Sequence, residues 1–142
     1  MMDGTMVAQT STKGRRLNLQ LLSGRMSVCR LAPEAAIPAW ATKGNGFVAI
    51  TRTSDELSIV CPGRAAPKDT KCETGWRTFK IEGPLDFSLT GILVSVAGPL
   101  ADSGVSIFAV STYDTDYILV KEENLERAVS VLKAAGHTVR RR

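Results

Sequence analysis

Hydrophobic and polar residues alternate in short runs through the first half of this chain, then switch to a helical period after Gly83-Pro84. Leu17, Leu19 and Leu21 alternate with Asn18 and Gln20, the period-2 pattern of a strand with one buried face. Ser23-Gly24 supplies a turn before Met26–Leu31, a second alternating run. Pro33 and Pro38 bracket a segment whose helical material is confined to Pro38–Thr42. Phe47–Thr51 and Leu57–Cys61 predict two more strands, joined across Thr53-Ser54-Asp55, and Pro62–Cys72 reads as a charged, proline-containing linker. Residues 17–73 are therefore expected to be rich in strand and short of helix.

The second half carries a sharper pattern. Arg77, Phe79 and Ile81 alternate with Thr78, Lys80 and Glu82, which predicts a strand with one face on a core. Leu89, Ile92, Leu93, Val96 and Leu100 then recur at the spacing of an amphipathic helix. Pro99 lies inside that helix and deletes the N–H that would have bonded the Ser95 carbonyl, so a kink near Gly98 or an irregular last turn is expected. Val105–Ser111 and Thr115–Lys121 predict two apolar strands joined through Tyr113-Asp114. Glu122 and Glu123 suit the positive end of a second helix whose stripe is Leu125, Ala128, Val129 and Leu132. Gly136 is placed to end it, and Thr138–Arg140 to add a last strand. The order strand, helix, strand, strand, helix, strand predicts an α+β, ferredoxin-like βαββαβ layer. In such a layer the second strand, Val105–Ser111, lies at an edge and is expected to pair with another sheet.

Composition narrows the class. The chain has 142 residues, of which 44% are hydrophobic and 23% charged, the balance of a soluble globular protein. No apolar run reaches the length of a membrane span, and the first residues lack a secretory core, so a cytoplasmic protein without membrane contact is expected. Met1–Arg16 is polar and unpatterned and reads as a disordered lead-in. The net charge of +4 gathers largely at the two ends, with no aromatic interleaved, which disfavours a nucleic-acid surface. Cys29, Cys61 and Cys72 are odd in number and lack metal spacing, so reduced thiols are expected. His137 is the sole histidine, and just after Gly136 it reads as a solvated loop residue. With no metal spacing, phosphate loop or nucleophile elbow, neither an enzyme nor a cofactor or metal is expected.

The residues Gly91-Ile92, Ala97-Gly98-Pro99-Leu100-Ala101 and the run Ser106–Val120 resemble ACT-domain proteins. The resemblance is dense over Trp76–Gly136 and looser through Phe47–Cys61. It points to small proteins with paired ACT-like halves, similar in turn to aspartokinase regulatory regions and to the CASTOR arginine sensors. It implies a degenerate ACT-like half at 17–73 followed by an ACT domain at 74–142. It also implies a non-catalytic sensor or regulatory protein that binds a free amino acid, as a homodimer or docked on a regulated protein. The alternative is an ACT-like dimerisation or docking module without a working pocket.

The implied ligand site joins Ser88, Leu89, Thr90, Gly91 and Ile92 to Thr112, Tyr113 and Asp116, with Thr53 and Ser54 closing the pocket. Physical chemistry supports the pairing. Unpaired amides at a helix start favour a carboxylate, and Asp116 is suited to an ammonium. Asp86 and Ser88 also fit as helix caps. Where the arginine sensors carry an acidic residue before the Gly-Ile pair, this chain has Ser88 and Leu89, so a side chain smaller or less cationic than arginine is expected.

Overall fold

The computed structural model describes residues 16–44, 46–63, 66–83 and 91–141. They form two compact units, one of residues 24–77 and one that unites the chain before Gly24 with the chain from Thr78 onward.

The first unit is an antiparallel arrangement of β2 (Met26–Leu31), β3 (Ala49–Arg52), β4 (Leu57–Pro62) and the start of β5 (Lys71–Ile81), in the order β3-β4-β2-β5. A 3-10 turn at Ala39–Ala41 is its one helical element among the described residues. Alternation sets the register. Leu57, Ile59 and Cys61 of β4 point the same way and, with Ala41, form a small core on which Leu31, Trp40 and Ile50 pack. The β3–β4 corner is closed by Thr53, whose Oγ1 accepts the Asp55 and Glu56 amides at 3.0 and 3.1 Å. The stretch read as a linker, Pro62–Cys72, is shorter than expected. Pro62 ends β4 and Lys71 already opens β5, because the ladder to β2 extends over Lys71, Cys72 and Glu73.

That ladder overturns the expectation of reduced cysteines. Cys29 of β2 and Cys72 of β5 stand directly opposite each other, their Cα atoms 4.1 Å apart, and are joined as a disulfide. Forty-three residues separate them in sequence, so nothing in their spacing revealed the register that brings them together. Cys61 alone is free, and burial pushes its thiol pKa up.

The second unit holds β1 (Asn18–Leu21), the end of β5, α1 (Ile92–Asp102), β6 (Ile107–Ser111), β7 (Asp116–Lys121), α2 (Leu125–Ala134) and β8 (Thr138–Arg141). From β5 onward the element order is the predicted βαββαβ. The sheet differs in one respect: β1 pairs antiparallel with β5 and parallel with β8, so the order is β6-β7-β5-β1-β8. Leu17–Leu21, grouped by sequence with the first half, thus supplies an inner strand of the second unit. Leu19 and Leu21 pack with Phe79, Ile81, Ile118 and Val120 of the sheet against Val96, Leu100, Ala128 and Leu132 of the two helices. Fully burying each such side chain is worth about 1.5–3 kcal/mol.

Both helices end in the same device. Gly104 and Gly136 have φ of +77° and +99°. After α1 the Val105 and Gly104 amides bond back to Leu100 and Ala101, and after α2 those of His137 and Gly136 bond to Leu132 and Lys133. The residue after the glycine folds onto the last turn. This explains why His137 is buried, only 4% exposed, rather than solvated. Leu17 N–H donates to its Nδ1 at 3.1 Å, so the ring proton sits on Nε2, which donates to the Ser95 carbonyl at 2.9 Å. Ser95 O is the acceptor that Pro99 leaves without its helical donor. The helix therefore continues through Pro99 to Asp102, with the histidine in place of the missing amide.

Candidate functional site

Three features of the second unit meet at the end of the sheet where β5 stops. The register Ile81–Leu19–Val139 sets the end of β5 level with the start of β8, across β1. His137, just before β8, holds Ser95, one turn into α1, at that same end. Thr115, between β6 and β7, is buried there and donates its hydroxyl to the Ile81 carbonyl at 2.5 Å. The start of α1 and the β6–β7 turn thus share one end of the sheet.

Gly91 precedes α1 in the left-handed region with φ +78°, a conformation that costs other residues roughly 1–2 kcal/mol. Among the described residues no side chain caps the helix, and its first turn carries no acidic residue. Ser95 N–H returns to the Gly91 carbonyl at 2.9 Å, while amides nearer the terminus have no helical acceptor. Ile92 is buried in the core and anchors the turn.

The hairpin turn is internally closed. Thr112 N–H and Oγ1 both donate to the Thr115 carbonyl, at 2.8 and 3.0 Å, and Thr115 N–H returns to Thr112 Oγ1 at 3.3 Å. Tyr113 projects into solvent, 82% exposed. Asp116 opens β7 opposite Ser111, whose hydroxyl donates to its Oδ1. The carboxylate is half-buried and has acceptor capacity beyond that one bond.

Of the residues singled out in sequence, Gly91, Ile92, Thr112, Tyr113 and Asp116 belong to this one unit, at the end just described. Ser88, Leu89 and Thr90, with the candidate cap Asp86, lie outside the described residues. Thr53 and Ser54 belong to the other unit, where the Thr53 hydroxyl is committed to its own turn. Sequence reasoning passed over Thr115, Ser111 and His137. The symmetry of Ser111 and Asp116 about the turn was the available signal for one of them.

An ACT-domain family model matches residues 71–134, and a second model, described as an N-terminal domain, matches residues 24–69. The solved structure of protein Atu0741 from Agobacterium tumefaciens is 46% identical, covers 90% of this chain and 95% of its own, and superposes with a TM-score of 0.85. The chain belongs to the ACT-domain family. The human cytosolic arginine sensor for mTORC1 subunit 1 is 39% identical over 59 residues, 41% of this chain and 18% of the sensor. The match thus spans under a fifth of the length of the arginine sensor. The regulatory subunit of aspartate kinase from Thermus flavus shares the fold at a TM-score of 0.59, with 11% identity, covering 85% of this ACT protein and 99% of its own chain.

The α+β fold of this chain is also that of the aspartate kinase regulatory subunit. Among the described residues, no helix is long and apolar enough to cross a membrane.

Proposed function

We propose that this ACT-domain protein is a cytoplasmic, non-catalytic sensor that binds a free α-amino acid between the start of α1 and the β6–β7 turn. One observation carries the reading. A helix start that no described side chain caps and a carboxylate, two poles suited to a zwitterion, belong to elements that share one end of the sheet. The ligand carboxylate takes the free amides near Gly91 and Ile92, and Asp116 faces the ammonium. Thr112 and Tyr113 form the rim. The likeness to the cytosolic arginine sensor supports amino-acid recognition as the class. Arginine is disfavoured as the ligand because Ser88 and Leu89 offer its guanidinium no carboxylate.

A second reading has an observation of its own. Asp116 already accepts the Ser111 hydroxyl, and β6 pairs only with β7 among the described strands. A vestigial pocket beside a bare sheet edge describes a dimerisation or docking module. A calorimetric titration against the common amino acids, at millimolar concentration, separates the two. Saturable heat with one or a few of them supports the sensor, and none with any of them leaves the docking module.

A further inference from the structure

The first unit holds a bonded cysteine pair beside a cavity, and the two cysteines differ in exposure. Cys29 is 1% exposed, whereas Cys72 is partly exposed and lines a cavity of about 200 Å³. The other walls include Ser27, Pro67, Lys68, Thr70 and Thr74, so hydroxyls and one ammonium surround the accessible cysteine. Ser27 Oγ donates to the Gly63 carbonyl at 3.2 Å and fixes one side.

We propose that Cys72 is a thiol-exchange site for a low-molecular-weight peptide thiol, with Cys29 as the resolving thiol. A polar cavity with one cation suits the amides and carboxylates of such a ligand better than an apolar one. The class is also set by size, since a cavity of about 200 Å³ beside Cys72 admits a small thiol more readily than a protein surface.

The exchange balances without another oxidant. The ligand thiol loses its proton to water, and the thiolate attacks Cys72 Sγ. The Cys29–Cys72 bond breaks, its electron pair leaves on Cys29 Sγ, and Cys29 takes a proton. The product is a mixed disulfide at Cys72 and a thiol at Cys29. A second ligand thiol then attacks the ligand sulfur, releasing ligand disulfide and the Cys72 thiol. Run backwards, ligand disulfide recharges the pair, with Cys29 expelling the bound half. Burial makes the order directional: a nucleophile reaches Cys72 and not Cys29, so Cys29 is always the leaving or resolving sulfur. Cys61, buried in the small core of the same unit, is the internal control that should not react.

The full chain tests this with glutathione as the probe. A non-reducing peptide map of the untreated protein should join the Cys29 and Cys72 peptides and leave Cys61 unpaired. Reduced glutathione, quenched with acid during the reaction, should place its adduct on the Cys72 peptide. With oxidised glutathione, Cys29→Ser should accumulate a stable adduct at Cys72, while Cys72→Ser should gain none at Cys29. Lys68→Glu should slow the reaction with anionic glutathione by roughly two- to fivefold, the worth of one exposed ion pair, and leave that with uncharged 2-mercaptoethanol unchanged. The quenched wild-type map assigns the attacked sulfur even if a cysteine variant fails to fold. Adduct at Cys29 or Cys61 in preference to Cys72, or no adduct at all, overturns the site. An equal effect of Lys68→Glu on both thiols overturns its selectivity for a charged peptide thiol.

Discussion

The most exposed piece of this reasoning is the pairing of Pro99 with His137, and a double-mutant cycle tests it. His137→Leu keeps an apolar side chain of similar size in the slot but removes both ring hydrogen bonds. It leaves the Leu17 N–H and the Ser95 carbonyl without their partners in a buried region. Each orphaned group costs about 1–3 kcal/mol, so the variant should lose roughly 2–5 kcal/mol, a large share of the ~5–15 kcal/mol that stabilises a typical domain. Pro99→Ala restores an amide four residues after Ser95 and gives its carbonyl a helical donor again. In that background the loss from His137→Leu should shrink by about 1–2 kcal/mol, the cost of the one acceptor no longer orphaned. Urea unfolding of the four proteins by circular dichroism measures the cycle, with an unchanged m value as the check on each transition. Amide exchange at Leu17 should quicken in His137→Leu whether or not residue 99 is proline, since that half of the contact does not involve the helix. Strict additivity of the two substitutions, within about 0.5 kcal/mol, would refute the claim that the histidine stands in for the missing amide.

Four further outcomes are expected. A saturating amino-acid ligand at ~100 times its dissociation constant should add about 2.7 kcal/mol, a melting shift of several degrees, which Asp116→Ala abolishes while circular dichroism stays unchanged. Thr115→Val should cost about 1–2 kcal/mol in urea unfolding, because it leaves the buried Ile81 carbonyl without its hydroxyl donor. The fragment Trp76–Arg142 should fold poorly by amide dispersion, since it lacks β1 and with it Leu19 and Leu21 of the core. The Cys61 thiol has its folded pKa raised, so its contribution is complete below the unfolded value near 9.0 and is lost as pH rises past it. Urea midpoints should therefore fall above that pH in the parent and fall less in Cys61→Val.

What could be read from the sequence was whatever a local period encodes. The Leu125, Ala128, Val129 and Leu132 stripe lies on the core as its spacing implied, and Gly136 ends the helix in the left-handed conformation expected of it. The strands Leu57–Pro62 and Asp116–Lys121 fall within a residue or so of their alternating runs. Pairings over long separations were not legible. Cys29 meets Cys72 only because β2 and β5 adopt one register, and β1 enters the second unit only because β8 returns beside it. His137 was misread for a different reason. The glycine rule was applied, but the residue after the glycine packs back on the helix rather than leaving it.

The inserted strand also bears on how the candidate site is held. In a plain βαββαβ layer the last strand lies directly against the first. Here β1 separates them, and Glu82 N–H, just past the end of β5, bonds to the Asn18 carbonyl at 2.8 Å. Thr138 N–H bonds to the Leu17 carbonyl at 3.0 Å, and Leu17 N–H to His137, which in turn holds Ser95 in the first helix. The departure of the chain toward Gly91 is thus fixed on one side by β1 and on the other by Thr115 from the hairpin. Any ligand seated at the helix start would gain its orientation from backbone already committed in three directions, which lowers the ordering cost of binding. That arrangement follows from residues 17–21, far in sequence from every residue the site itself requires.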